Sequence, residues 1–151
     1  KAIEMMVDRG LSREGFGKKL INLGKNMEVI SRARIETEAM RLMVLRAAKA
    51  MDTLGNAEAR VWVSAVKAMV PEKCCDIINE AIQMHGAAGV SQWFPLTDMW
   101  QSQRTLRLAD GPDEVHHHVV ARAEVKTREG ERSAGEATAH TLGGPTFAGP
   151  G

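Results

Sequence analysis

Apolar residues spaced alternately three and four positions apart run through most of the chain, and this spacing places them on one face of a helix. The clearest run extends from about Asn22 to Thr53, and its stripe consists of Met40, Met43, Val44, Ala47, Ala48 and Met51. A second run covers roughly 57–85, with Val63, Val66, Val70, Cys74, Ile77 and Ala81 on its apolar face. Because "TLGN" separates the two runs, the sequence predicts two long helices joined by a short turn.

Three shorter helices complete the expected fold. The first ends near Gly10, and the others cover about 95–106 and 112–127, each with a proline at its start. Pro71 lies inside the second long helix, where its ring opposes the carbonyl four residues back, so we expect a kink. No segment alternates as a strand would. The sequence therefore predicts an all-α, antiparallel bundle of the four-helix type.

The composition changes after residue 128. Residues 129–151 are rich in Gly, Ala, Ser, Thr and Pro and contain few large apolar side chains, so they bury too little surface to offset their ordering entropy. We expect residues 1–128 to form the bundle and 129–151 to be a disordered tail. The chain begins without Met and inside a helical pattern, so we also expect it to be a piece of a longer protein.

Charge and cysteine content argue against several classes of function. The chain has 20 Lys and Arg against 19 Asp and Glu, with no basic face, which disfavours nucleic acids and anionic membranes as partners. No apolar run reaches transmembrane length. Cys74 and Cys75 are the only cysteines, and adjacent cysteines rarely pair, so we expect buried thiols in a reducing compartment.

Three consecutive histidines, His116, His117 and His118, raise the question of a metal site. Consecutive helical residues point about 100° apart, whereas ligands on a helix are spaced three or four positions apart. We therefore predict no metal site there.

Asp110 stands directly before Gly111 and Pro112, just ahead of the last expected helix. An aspartate in this position is common as a turn or capping residue. It could also be a carboxylate held at the start of a helix to remove a proton. The residue types alone leave both interpretations open.

Three stretches, in this order and spacing, resemble the C-terminal helical domain of the flavin-dependent acyl-CoA dehydrogenases. They are "SREGFGKKL" from Ser12, "AIQMHGAAGVSQWFPL" from Ala81 and "RTLRLADGPDEVH" from Arg104. The segment "ADGPDEVH" is most similar to the subgroup represented by family members ten and eleven in animals. The resemblance covers about residues 1–128.

The resemblance implies dehydrogenation of acyl-CoA thioesters between the α and β carbons, as in fatty acid β-oxidation. Asp110 takes the position of the base that removes the α-proton, and its own N–H is one donor to the thioester oxygen. Gly111 lets the chain turn where the substrate approaches. Most of the family has Glu in place of Asp110, whereas Asp is usual in the resembling subgroup.

The resemblance also implies FAD as the cofactor. Arg13 and Phe16 match residues that touch the flavin of a neighbouring subunit. Gln83, Gly86 and Ala87 match a segment that follows the flavin pyrophosphate and adenosine, although Ala87 replaces a second glycine. Three further positions depart from common flavin-contacting residues of the family: Gly24, Pro112 and Glu114.

The implied partners are the acyl-CoA substrate, an electron-transfer flavoprotein or similar acceptor, and further copies of the chain in a homodimer or homotetramer. The implied compartment is the cytoplasm in a bacterium and the mitochondrial or peroxisomal matrix in a eukaryote. Because the flavin and thioester sites need the other domains, we expect the isolated fragment to be inactive. The alternative is a catalytically silent scaffold of the same fold, which would differ at Asp110 and in flavin binding.

Overall fold

Four helices make up most of the chain. The computed structural model describes the backbone of residues 1–141 and the side chains of residues 1–135. The helices are α1 (Ala2–Ser12), α2 (Asn26–His85), α3 (Leu96–Leu106) and α4 (Asp113–Thr141). The predicted all-α bundle is confirmed.

The longest helix, α2, is a helical hairpin made of two limbs. Gly55 has φ 75° and ψ 177°, outside the helical range, and a glycine enters that region without a steric penalty. We call residues 26–54 the first limb and residues 56–85 the second limb. The two predicted long helices are thus confirmed, although the first begins at Asn26, because Leu20–Asn22 forms a separate 3-10 turn.

Contacts between the limbs show that they are antiparallel. Lys73 Nζ lies 3.6 Å from Glu36 Oε1, and the Arg46 guanidinium lies 4.5 Å from the ring centroid of Trp62 on the side nearer Gly55. Pro71 is buried within the second limb. The kink expected at Pro71 stays a prediction.

The core lies towards the ends of the limbs away from Gly55, where α1 and α3 cover them. Met6 of α1 and Leu96 of α3 are the largest fully buried side chains. Small residues such as Ala33 and Ala81 are buried between the limbs and allow the backbones to approach closely. Nearer Gly55 the expected stripes are wrong in part, since Val44, Met51 and Val63 are exposed there.

A short β-hairpin connects α1 to α2, where the sequence predicted no strand. Glu14–Gly15 (β1) pairs antiparallel with Lys18–Lys19 (β2). The two turn residues, Phe16 and Gly17, have φ 52° and 72°. Two consecutive positive φ values give a turn whose twist matches that of paired strands. The prediction of no strand is wrong here, because two-residue strands are too short to show an alternating pattern.

Helix α4 continues well past the end expected near Thr127 and reaches Thr141. Residues 128–135 are exposed, so this part of the helix is not stabilised by burial. Its Glu, Arg and Ala residues favour helix, and their combined helix propensity outweighs the unfavourable propensity of Gly130 and Gly135. Residues 142–151 lie outside the described residues, and disorder there stays a prediction. None of the described helices is both long and apolar enough to cross a membrane.

Candidate active site

Asp110 lies in the loop between α3 and α4, and its backbone adopts a left-handed conformation. Its φ is 54°, that of the next residue, Gly111, is 98°, and the side chain of Asp110 is exposed. A non-glycine residue in this region costs on the order of 1 kcal/mol or more and persists only where its surroundings hold it. The carboxylate is therefore presented at the surface of the bundle by a strained turn.

The two sides of this loop are tied together by an ion pair. Arg107 Nε donates to Asp113 Oδ2 at 2.6 Å, and the Asp113 N–H donates to the Arg107 carbonyl at 3.2 Å. Arg107 Nη2 also lies 3.5 Å from Glu72 Oε1 on the second limb. The hydrogen bond with Asp113 raises the pKa of Arg107. Because Asp113 is buried, this pair anchors the loop between the second limb and the start of α4.

Lys67 and His116 reach the loop from two other directions. Lys67 Nζ, on the second limb, donates to the carbonyls of Leu106 at 2.5 Å and Gly111 at 3.2 Å. His116 Nε2 lies 3.2 Å from the Asp110 carbonyl, a hydrogen bond when that nitrogen carries the proton. A Cβ at Gly111 would lie 3.3 Å from the same nitrogen, so the turn also requires glycine for space.

The backbone N–H of Asp110 remains available. Within the part of the chain that the structure describes, it donates to no backbone or side-chain acceptor. An N–H beside an exposed carboxylate offers a donor and a base within one residue. This combination suits a reaction in which a proton is removed next to a carbonyl that gains negative charge.

At the C-terminal end of the second limb, two segments expected to contact a cofactor lie together. Arg9 Nη2 donates to the His85 carbonyl at 3.5 Å, which joins the end of α1 to the end of α2. Arg13 caps α1 and has an exposed side chain. Phe16, at the tip of the hairpin, is 98% exposed. The hairpin therefore holds the Phe16 ring in the open, on a residue with positive φ.

The second of these segments follows the end of α2. Gln83, Gly86 and Ala87 are all exposed, and Gly86 ends the helix with φ 63°. The 3-10 turn Gly86–Val90 packs tightly on the helix, since a Cβ at Gly89 would lie 2.6 Å from the Ile82 carbonyl oxygen. The turn therefore presents backbone and small side chains outward.

His85 supports this turn from beneath. Its side chain is buried, its Nδ1 lies 2.8 Å from the Ala81 carbonyl, and its ring meets Phe94 edge-on at 4.6 Å. These contacts indicate a structural role for His85. Trp93, one residue before Phe94, is 87% exposed and extends the outward-facing surface.

The two groups of candidate residues do not form one pocket. Lys67, which contacts the Asp110 loop, and Gln83 belong to the same helical limb. At 1.5 Å rise per residue they are about 24 Å apart. The chain thus carries a loop with an exposed carboxylate at one place and a group with Arg13, Phe16 and Gln83 at another.

Lys67, Glu72 and Asp113 support the Asp110 loop, and none of them was singled out from the sequence. A signal was present for Lys67, since it is the one charged residue in the stretch 61–71, "VWVSAVKAMVP". Cys74 is half-buried and Cys75 buried, and burial raises the pKa of both thiols. Both cysteines therefore fit the expected structural role.

Comparison with known proteins assigns the chain to a class. A family model described as "Acyl-CoA dehydrogenase, C-terminal domain" matches residues 1–125. The chain belongs to the acyl-CoA dehydrogenase family, in which it corresponds to the C-terminal helical domain. The resemblance inferred from the three sequence stretches is confirmed.

Relatives narrow the placement within the family. Acyl-CoA dehydrogenase family member 11 of Rattus norvegicus is 46% identical over 126 residues, which cover 83% of this chain and 16% of the rat protein. Family member 10 of Mus musculus is 43% identical over 128 residues, which cover 85% of this chain and 12% of the mouse protein. The similarity to the subgroup of members ten and eleven is confirmed.

A solved structure from Mycobacterium abscessus, described as that of an acyl-CoA dehydrogenase, has the same fold. It superimposes with a TM-score of 0.82 at 49% identity, over 84% of this chain and 31% of the other. The chain spans less than a third of each of these three proteins.

Proposed function

We propose that this chain supplies the α-proton-abstracting carboxylate and part of the FAD site of a flavin-dependent acyl-CoA dehydrogenase. The observation that carries the proposal is the conformation of Asp110, an exposed carboxylate on a left-handed residue held by contacts from α2 and α4. An ordinary capping aspartate would accept from N–H groups of its own helix, and within the described residues the Asp110 carboxylate accepts none. Its exposed position instead suits a substrate that arrives from outside the bundle.

The chemistry follows from the groups within this one residue. The Asp110 carboxylate takes the α-proton, and the Asp110 N–H donates to the thioester oxygen as negative charge develops on it. FAD, when bound, accepts the β-hydrogen as hydride. Asp is one methylene shorter than Glu, so its carboxylate lies about 1.5 Å further back. A displacement of this size is large enough to change the rate of proton removal.

The residues at the far end of α2 fit a flavin nucleotide. The Arg13 guanidinium is exposed and suits a pyrophosphate, with which its planar fork forms paired hydrogen bonds. The Phe16 ring is free to pack on a flat partner, and the outward backbone at Gly86 and Ala87 allows close approach. This end would hold the cofactor, and the Asp110 loop would face the reacting carbons.

The two groups contact the second limb at separate places, at Lys67 and at Gln83, which lie about 24 Å apart along its axis, and this separation supports an oligomer. In a homodimer or homotetramer, Arg13, Phe16 and Gln83 of one copy would contact the flavin whose reacting side faces Asp110 of another. Exposed apolar residues on the first limb offer a surface for such pairing, with Ile35 66%, Leu42 61% and Leu45 52% exposed.

The proposal extends to the partners of the full-length polypeptide. The substrate is an acyl-CoA thioester, and an electron-transfer flavoprotein or a similar acceptor reoxidises the flavin. The isolated chain is proposed to be inactive, because it provides only part of each site. The compartment is proposed as the cytoplasm in a bacterium and the mitochondrial or peroxisomal matrix in a eukaryote.

Single-turnover reduction of the flavin tests the proposal. In the full-length polypeptide that carries this domain, saturated acyl-CoAs should bleach bound flavin, and Asp110→Asn should slow bleaching roughly 100- to 10,000-fold while flavin is retained. Asp98→Asn, at an exposed aspartate in the first turn of α3, is the matched control and should leave the rate unchanged. A colourless protein would favour the silent scaffold, whereas full bleaching in the Asp110→Asn variant would remove Asp110 from the mechanism.

A further inference from the structure

Lys67 is separated from Gly111 by 44 positions in the sequence, yet its ammonium contacts the Asp110 loop. The stretch around it, residues 61–71, is otherwise uncharged, and the side chain of Lys67 is half-buried. A lone lysine among apolar residues of a packed helix needs acceptors. It finds them in two carbonyls of the loop, those of Leu106 at 2.5 Å and Gly111 at 3.2 Å.

These two carbonyls lie on either side of Asp110. Leu106 is the last residue of α3, so its carbonyl lacks a partner within the helix, and a cation is favoured at such a C-terminus. Gly111 follows Asp110 directly and shares its positive φ. A single ammonium therefore joins the start of the loop to its end and fixes Asp110 between them.

The other contacts of the loop involve atoms other than the carbonyls of Leu106 and Gly111. Arg107 joins Glu72 and Asp113 and so secures the base of the loop. His116 reaches the Asp110 carbonyl through a ring nitrogen whose donor role depends on its tautomer. Lys67 has three N–H donors, and its charge strengthens each bond, so it holds the Gly111 peptide whichever tautomer His116 adopts.

We propose that Lys67 is a positioning residue for Asp110, which it holds in the left-handed conformation through the carbonyls of Leu106 and Gly111. This inference rests on the proposed function, since it needs Asp110 to be the base. Lys67 acts only through the loop, and removal of its ammonium lets the Gly111 peptide turn and the carboxylate move. A displacement of the carboxylate near 1 Å is enough to slow proton removal by about 100-fold.

The first test replaces Lys67 with methionine, which keeps the length of the stem and removes the donors. In the full-length polypeptide, Lys67→Met should slow flavin bleaching by acyl-CoA by roughly 10- to 100-fold. Flavin content and the dissociation constant of the acyl-CoA should remain as in the unmodified protein. Lys67→Arg, which keeps charge and donors, should recover most of the rate.

Lys73→Met is the matched control on the same limb. Lys73 pairs with Glu36 at 3.6 Å and Asp76 at 3.8 Å, away from the loop. The control therefore removes a charge from α2 without touching Asp110. A Lys67→Met rate equal to the Lys73→Met rate would overturn the inference.

A double variant separates positioning from a general structural effect. If Lys67 acts through Asp110, adding Lys67→Met to Asp110→Asn should slow bleaching no further, because the group it positions is already gone. An equal loss in both backgrounds would overturn the inference. If the Lys67→Met protein retains no flavin, the same comparison is made with Lys67→Gln, which removes the charge and keeps an uncharged donor.

The same set of variants distinguishes the two levels of the proposal. A fully active Asp110→Asn protein would overturn the proposed function together with this inference. A slow Asp110→Asn protein combined with a Lys67→Met protein of normal rate would overturn the role of Lys67 alone.

Discussion

Asp110 has φ 54°, a region that Asp and Asn enter more readily than other non-glycine residues because their short polar side chains can interact locally. The backbone of the loop thus suits the aspartate found there. Lys67, His116 and the Arg107–Asp113 pair hold the surrounding peptides. A strained residue fixed by several unrelated elements is typical of a site where geometry decides the rate.

Gly111→Ala tests the strain of the turn. Gly111 has φ 98°, and the Cβ of an alanine at this position would lie 3.3 Å from His116 Nε2. The change should therefore destabilise the domain by about 1–3 kcal/mol. Denaturant unfolding followed by circular dichroism measures the effect. Gly130→Ala is the control of opposite sign, because Gly130 is exposed in α4 and alanine there should stabilise by up to about 1 kcal/mol. Equal stability of Gly111→Ala and the unmodified protein would argue against a constrained loop.

Residue types in the sequence indicated where the turn lies but not its geometry. The Asp-Gly-Pro run predicted a turn before α4, and the turn is present. The positive φ of Asp110 itself depends on contacts with Lys67 and His116, which are distant in sequence or on the next helix. Local sequence does not contain those contacts.

At the scale of elements, periodicity predicted the helices well wherever they pack on one another. The hairpin at Glu14–Lys19 escaped prediction because two residues per strand give no pattern, and Phe16 does not look like a residue with positive φ. The predicted end of α4 near Thr127 is too early, because the composition of residues 129–151 indicated a disordered tail. The Glu, Arg and Ala residues there favour helix instead.

The 3-10 turn after α2 gives a prediction at this scale. A Cβ at Gly89 would lie 2.6 Å from the Ile82 carbonyl oxygen and 2.9 Å from its Cα, so Gly89→Ala forces the turn away from the helix. We expect a loss of about 1–3 kcal/mol in unfolding free energy and weaker flavin retention by the full-length polypeptide. Unfolding titrations and the flavin-to-protein absorbance ratio measure the two effects. Unchanged values in both would mean that the turn tolerates the shift and does not shape the cofactor surface.

Across the whole molecule, the two groups of candidate residues lie at separate places on the second limb, where Lys67 and Gln83 are about 24 Å apart along the axis. Sequence motifs named the members of both groups, and the structure adds that Arg13, Phe16 and Gln83 belong to one end of α2 and Asp110 to another place. The spacing of the motifs in the sequence could not predict whether the two groups contribute to one site in the same copy or to sites shared between copies. That depends on how the copies pack.

Mixed oligomers test this division. Asp110→Asn subunits lack the proposed base, and Arg13→Ala subunits should bind flavin poorly. If each site combines one group from each of two copies, refolding the two variants together in equal amounts should restore about a quarter of the unmodified activity, because half of the dimers then contain one intact site. Steady-state turnover of the mixture, compared with each variant alone, is the measurement. No recovery would indicate that one copy supplies both groups.

Exchange of the α-proton with solvent tests the central claim most directly, because it reports proton removal without electron transfer. The full-length, flavin-loaded polypeptide should catalyse uptake of deuterium from D₂O at the α-carbon of an acyl-CoA, and Asp110→Asn should abolish it while flavin remains bound. Mass spectrometry of the recovered thioester reads the result. Equal deuterium uptake by the Asp110→Asn variant and the unmodified protein would contradict the assignment of Asp110 as the base.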